Sequence, residues 1–164
     1  MTTLYITKID ETIVFFPSTS FLKIFSMQST LTYVKFLHIH HAGKYADKGA
    51  FVLCKTFNPG SNDILALNLQ QQTVFEKIAG LANEWSSSAA SESPTSSTSP
   101  RLGLVVGATD PSALSKARHA AGSKLWVLAP GVGAQGGDLD AACRAGLNDE
   151  GTGMLIILRP FGEG

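Results

Sequence analysis

The chain has 164 residues, 44% of them hydrophobic and 16% charged, a composition that suits one globular domain with a real core and excludes a disordered polymer. Thirteen basic and thirteen acidic residues cancel, so no long-range field draws in nucleic acid, an anionic membrane or an acidic protein; any anion must be bound locally. Pro17, Lys23 and Lys35 interrupt the apolar N-terminal stretches before they reach the ~18 uncharged residues of a membrane span.

Asp10 and Glu11 precede the apolar part of the N-terminus, which fits a secretory signal poorly, and a cytoplasmic location is expected. Cys54 and Cys143 lie far apart without metal-ligand spacing and are expected to be buried, reduced thiols. Residues 1–43 are rich in Ile, Phe, Thr and Ser, with clusters such as Ile13-Val14-Phe15-Phe16, but carry neither a hairpin signal nor a sustained helical period. They read as an irregular segment of unclear origin. The run His38-Ile39-His40-His41 reads as a solvated loop, because no further ligand sits at usable spacing.

Regular patterning covers residues 44–164. Ala50 to Lys55 (AFVLCK) is a continuous run expected for a strand covered on both faces of a parallel sheet. The turn-rich stretch Thr56-Phe57-Asn58-Pro59-Gly60-Ser61-Asn62-Asp63 follows. Val74, Phe75, Ile78, Ala79, Leu81, Ala82 and Trp85 then recur on one helical face. Residues 86–100, almost wholly Ser, Thr, Ala and Pro, bury too little to offset chain entropy and read as a flexible surface insertion.

Leu102 to Val106 (LGLVV) is a second strand, and Asp110-Pro111 supplies an N-cap and a first-turn proline for a helix reaching about Ala121. Leu125 to Leu128 (LWVL) is a third strand, leading into Pro130-Gly131-Val132-Gly133-Ala134-Gln135-Gly136-Gly137. Asp138 is placed to cap the next helix and Gly146 to end it, before a fourth strand over 153–158. The order β-α-β-α-β-α-β belongs to a parallel α/β sheet, open or closed. Four strands do not close a barrel.

Ligands of parallel α/β architectures sit at the C-terminal ends of the strands, where all the unusual loops of this chain fall. The glycine-rich turn after the third strand lets backbone N–H groups approach a ligand with no Cβ in the way, and a helix begins next; this suits an anion, although a tight turn alone would read similarly. It is neither a Walker motif nor a GxGxxG dinucleotide motif.

FVLCKTFNPGSND, LGLVVGATDP, LWVLAPGVGAQGGD and GTGMLIIL, in this order, resemble strands five to eight of the bacterial-type orotidine 5′-monophosphate decarboxylases. There the corresponding stretches read like FVLCKTSNPGS, VGLVVGATDP, WILAPGIGAQGGD and GLLIxxSRG. The likeness covers residues 44–158, outside the Ser-rich insertion. It implies the C-terminal half, about four β/α units, of a TIM (β/α)₈ barrel. It also implies a carbon-carbon lyase of de novo pyrimidine synthesis that converts orotidine monophosphate to uridine monophosphate with no metal or organic cofactor. Thr56 and Asn58 would face the pyrimidine, with Pro130 and Gln135 beside base and phosphate. Gly131, Gly133, Gln135 and Arg159 would hold the phosphate.

The chain departs from that pattern at three places. Phe57 stands where the family has a small hydroxyl residue. Arg159 in Leu158-Arg159-Pro160 comes one position earlier than the family's Ser-Arg-Gly arginine, and strand alternation would turn it to the other face. The Asp-x-Lys-x-x-Asp motif, whose lysine protonates C6 as carboxylate leaves, occurs nowhere in the sequence; Asp47-Lys48, the nearest acid-base pair, precedes the first regular strand. The resulting expectation is a truncated and inactive decarboxylase, with residues 1–43 unrelated to the upstream barrel. The alternative is a non-catalytic nucleotide-binding half-barrel. A different barrel enzyme, such as an aldolase, is disfavoured because Lys55 lies within its strand. Open sheet edges would favour a homodimer or other self-association.

Overall fold

The computed structural model describes residues 6–7, 13–15, 21–23, 50–92 and 102–159. The N-terminal region contributes three short strands, β1 (Ile6–Thr7), β2 (Ile13–Phe15) and β3 (Phe21–Lys23), paired antiparallel in that order. Sequence offered no hairpin signal for them, since neither connection carries an Asn-Gly or Asp-Gly pair. The His38 to His41 run and the Asp47-Lys48 pair lie outside the described residues.

The principal sheet has four parallel strands in sequential order: β4 (Ala50–Lys55), β7 (Leu102–Val106), β8 (Trp126–Gly133) and β9 (Met154–Arg159). Between β4 and β7 come a one-turn helix α1 (Asn62–Leu65), a small hairpin of β5 (Asn68–Leu69) and β6 (Gln72–Thr73), and the long helix α2 (Val74–Glu92). Helix α3 (Pro111–Ala121) joins β7 to β8, and α4 (Leu139–Gly146) joins β8 to β9. The larger core cluster unites α2, α3 and α4 residues such as Phe75, Ile78, Leu114, Ala117 and Ala142 with Val52, Leu104, Val106, Val127 and Ala129 of the strands. The other sheet face has its own apolar cluster, Phe51, Val105 and Leu128 with Leu53, Leu155 and Ile157, built from strands alone. Among the described residues the helices thus lie on one face of a sequentially ordered parallel sheet, whereas a doubly wound sheet carries them on both.

Two register shifts break the regular alternation, one in β4 between Leu53 and Lys55 and one in β8 between Pro130 and Val132. The second lets β8 run on to Gly133, past the Leu128 end expected from its apolar run. Proline has no N–H for the ladder, and Gly131 takes a positive φ of 107° at the shift, as bulges permit.

Helix α2 also runs beyond expectation. Residues 86–92 are helical rather than the start of a loop, and Ser86 is buried, one turn after the buried Ala82. The serine hydroxyls do not oppose this, since Ser88 Oγ donates to Glu84 O at 2.9 Å within the helix. Residues 93–100 of the Ser-rich stretch lie outside the described residues. The helix opens with a capping box: the N–H of Thr73 donates to Glu76 Oε2 at 2.7 Å, the Thr73 hydroxyl donates to the same oxygen at 2.5 Å, and Glu76 N–H returns to the Thr73 hydroxyl at 3.4 Å.

The expected caps of the other helices are in place. Asp110 accepts from Ala113 N–H at 3.0 Å with Pro111 in the first turn, and Asp138 accepts from Ala141 N–H at 2.6 Å. Gly146, expected just past the end of α4, is its last helical residue instead. A Cβ there would lie 2.7 Å from Met154 Sδ and 3.0 Å from Leu114 Cδ2, so close packing requires the glycine, not a left-handed cap. Cys54 is fully buried and donates to Phe75 O at 3.2 Å, and burial pushes its thiol up to about 12. Cys143 is only half-buried, and both cysteines are free.

At the end where β8 and β9 begin, the buried Arg118 donates from Nε to Gly146 O (2.7 Å), from Nη1 to Leu125 O (2.6 Å) and Gly122 O (3.2 Å), and from Nη2 to Gly153 O (2.6 Å). One guanidinium thus holds the ends of two helices and the starts of two strands, even though burial lowers its pKa. Arg118→Met is expected to remove the guanidinium's bonds to these carbonyls, of which Gly153 O keeps the Val127 N–H at 2.9 Å, and to lower stability by about 3 kcal/mol, read as a shift of the urea midpoint.

The capping box gives a pH-dependent prediction. Its hydrogen bonds from Thr73 hold Glu76 below the usual glutamate pKa. A carboxylate whose folded pKa is depressed stabilises above its unfolded value and loses that contribution as pH falls through the folded value. Glu76→Ala should therefore lower stability by up to about 1 kcal/mol at neutral pH. Denaturant titrations of the two chains should converge as pH drops below the ordinary glutamate range.

Candidate functional site

The C-terminal ends of β4, β7 and β8 are tied together past the regular ladder. Gly107 N–H donates to Lys55 O and Ala108 N–H donates to Pro130 O, each at 2.8 Å. The loops after these strands therefore start from one rigid rim. They converge on Gly131: a Cβ at that position would lie 3.4 Å from Thr109 Cγ2, 3.6 Å from Gln135 Oε1 and 3.8 Å from Phe57 Cδ1. Phe57 also packs over Gly107, where a Cβ would sit 3.2 Å from the phenylalanine Cβ. Half-exposed Phe57 thus occupies the side of the rim that carries Thr56 and Asn58.

The first loop is organised by its own polar groups. The Thr56 hydroxyl donates to Asn58 Oδ1, Ser61 N–H donates to Asn58 O at 2.9 Å, and Ser61 Oγ donates to Thr56 O at 2.9 Å. Beneath it lies Lys55, a buried lysine whose ammonium donates to Asn62 Oδ1 (2.6 Å), Ser61 Oγ (2.9 Å) and Thr56 O (3.5 Å). Sequence reading placed Lys55 inside the strand and gave it no role. The available signal was a single charge closing the uncharged run AFVLC just before a polar loop.

The glycine-rich turn closes on itself. Gly137 N–H donates to Gly131 O (2.9 Å), Gly133 N–H to Gly137 O (3.0 Å) and Gly136 N–H to Gly133 O (2.7 Å). Gly131, Gly133 and Gly136 all have positive φ, which makes glycine the residue for each. Three amides that looked available for a ligand are thus spent inside the turn. The amides of Ala134 and Gln135, at its exposed tip, take no part in that pairing. The first turn of α4 is likewise occupied, because the Asp138 carboxylate caps it.

The structure brings Gly131, Gln135, Thr109 and Phe57 together, with Pro130 hydrogen-bonded to Ala108 and Gly133 to Gly137, while Thr56 and Asn58 flank Phe57 in the first loop. Thr109 was not singled out from sequence; it follows Gly107-Ala108 in a loop that reads as an ordinary turn. Arg159 ends β9 with its backbone in register with Gly133. It therefore sits next to the turn along the strand.

No protein-family model matches the chain. Among curated proteins it is 41% identical over 113 residues to the orotidine 5′-phosphate decarboxylase of Dechloromonas aromatica and 42% identical over 113 residues to that of Ralstonia pickettii; each match takes in 68% of this chain and 37% of the relative. The chain thus spans somewhat over a third of the length of these relatives. Among solved structures it is similar to the UMP synthase of Leishmania donovani, with TM-score 0.58 and 46% identity over 69% of this chain and 23% of that one. It is also similar to the OMP decarboxylase of Leishmania donovani, with TM-score 0.58 and 31% identity over 82% of this chain and 56% of that one. A Toxoplasma gondii protein assigned as an orotidine-monophosphate decarboxylase superposes with TM-score 0.66 at 38% identity, over 84% of this chain and 48% of that one. Sequence and fold thus agree on the resemblance to orotidine monophosphate decarboxylases.

The self-closed turn yields a prediction. A Cβ on Gly137 would fall 2.5 Å from Gly131 O, whereas one on Gly136 meets nothing within 4 Å and is opposed only by its φ of 90°. Gly137→Ala should lower stability by about 2 kcal/mol or more and Gly136→Ala by about 1 kcal/mol, measured by thermal unfolding.

Proposed function

We propose that this chain forms the phosphate and pyrimidine side of a nucleoside-monophosphate site of the orotidine monophosphate decarboxylase type, as the C-terminal half of a (β/α)₈ barrel, and that by itself it binds without decarboxylating. The observation that carries this reading is the meeting of three strand-end loops around Gly131, within a segment similar to those decarboxylases.

In this reading Thr56 and Asn58 face the pyrimidine and Pro130 lines the boundary between base and phosphate. The Gln135 side chain and the amides of Ala134 and Gln135 donate to phosphate oxygens. Gly131 and Gly133 serve by permitting the left-handed turn that presents those amides. Arg159, beside Gly133, supplies the positive charge that a dianion requires. Decarboxylation further needs an ammonium poised to protonate the carbon that loses carboxylate, held by flanking carboxylates. The sequence contains no Asp-x-Lys-x-x-Asp motif to provide them. Among the described residues β4 and β9 each pair with one strand of the principal sheet, and an edge left unpaired in this way would favour self-association.

Titration calorimetry with uridine monophosphate is expected to show saturable binding in the millimolar range or tighter. Gln135→Ala should weaken it by roughly tenfold, the worth of one hydrogen bond to a charged oxygen. Phe57→Ser, which restores a small hydroxyl residue at the base side, should tighten it. A direct assay should detect no release of carbon dioxide from orotidine monophosphate. Absence of saturable binding would overturn the nucleotide reading, and turnover would overturn its non-catalytic part.

A further inference from the structure

Lys55 poses a physical question that the nucleotide site as described does not answer. Placing an ammonium in the protein interior is costly unless its donors are met, and a methionine of similar volume could fill the space without that penalty. Here each of the three acceptors is a neutral oxygen, from Asn62, Ser61 and the Thr56 backbone. An ammonium has three N–H donors and no acceptor, so this set uses all of them. The register shift between Leu53 and Lys55 is what takes Lys55 out of strict alternation.

The three acceptors span both ends of one loop. Thr56 begins it and Ser61-Asn62 closes it, at the junction with α1. Between them Asn58 is exposed, and Phe57 is half-exposed with its covered side against Gly107. The ammonium, with the Ser61 hydroxyl bridging to Thr56 O, therefore ties the two ends of the loop to each other.

We propose that Lys55 is a positioning residue: its buried ammonium clamps the loop over residues 56–62 so that Thr56 and Asn58 are presented to the ring of the bound nucleotide, without touching the ligand itself. Its ligand-facing half rests on the nucleotide reading above; the clamp can be measured without ligand. A side chain that fixes a loop in this way controls affinity for the part of the ligand the loop meets and leaves the rest alone.

The test compares the wild-type chain with Lys55→Met by amide hydrogen exchange and by titration with uridine monophosphate and with ribose 5-phosphate, which lacks the base. Exchange at the Ser61 amide should quicken by roughly tenfold or more, while the Gly137 amide in the glycine turn stays protected as before. Affinity for uridine monophosphate should fall by roughly tenfold, with that for ribose 5-phosphate unchanged. A general loss of structure would move both amides and both ligands together, and would overturn the assignment. So would an unchanged Ser61 amide. Should Lys55→Met not fold, Ser61→Ala and Asn62→Ala each remove one acceptor and should give the same split between ligands at smaller size; equal effects on both ligands would count against the clamp. If the wild-type chain binds neither ligand, the nucleotide reading and the ligand-facing half both fall, and exchange at Ser61 alone decides the clamp.

Discussion

The rim depends on two backbone hydrogen bonds that continue the parallel ladder beyond its strands, from Gly107 to Lys55 and from Ala108 to Pro130. Buried backbone donors and acceptors must find partners, and at a strand end the neighbouring strand offers the nearest ones. Satisfying them draws the β4, β7 and β8 loops to within van der Waals distance of Gly131. A Cβ there would meet their side chains at ordinary contact distances, so it is the positive φ of 107° that favours glycine at Gly131. The convergence of Phe57, Thr109 and Gln135 is thus a by-product of main-chain pairing, which explains how side chains so far apart in sequence come to share one corner.

The opposite end of the sheet is held by other means. Where β8 and β9 begin, the carbonyls of Gly122 and Leu125 in one connection, of Gly146 at the end of α4 and of Gly153 before β9 come together, and as acceptors they need a donor from elsewhere. The planar guanidinium of Arg118 answers them with charge-assisted bonds in a fixed fork, a task that a lysine could not perform. The two ends therefore divide the labour. A rigid base built on one cation leaves the C-terminal loops free to carry polar and glycine-rich sequence that contributes little to the core.

Much of this was legible in the sequence because it rested on local chemistry. The apolar runs of β4 and β7 had no competing period, and the Asp110-Pro111 and Asp138 caps state their geometry in a few adjacent residues. What escaped reading came from contacts between distant segments. The extension of β8 through Pro130 depends on β9 lying alongside with a register shift, which no single strand pattern records. The continuation of α2 into the Ser-rich stretch depends on Ser86 falling on the face already buried by Ala82. Gly146 looked like a helix stop, and only the packing of Met154 and Leu114 reveals why it is glycine. The role of Lys55 was hidden because its acceptors lie six and seven residues away, across a bulge that overturns simple alternation.

The same distinction refines how an anion could be held at the glycine turn. Glycine content alone suggests a nest of free amides, but a turn tight enough to need glycines at Gly131, Gly133 and Gly136 also brings its own carbonyls within reach of its own N–H groups. Rigidity and donor supply compete there: each internal bond that fixes the turn removes one amide from the ligand. The balance struck is a turn locked by three such bonds, with the Ala134 and Gln135 amides and the Gln135 side chain left at the tip. Two neutral amides and a carboxamide orient a phosphate but do not neutralise it, and the Asp138 carboxylate capping α4 adds negative charge nearby. In the backbone ladder the residue paired with Gly133 is Arg159, the last of β9.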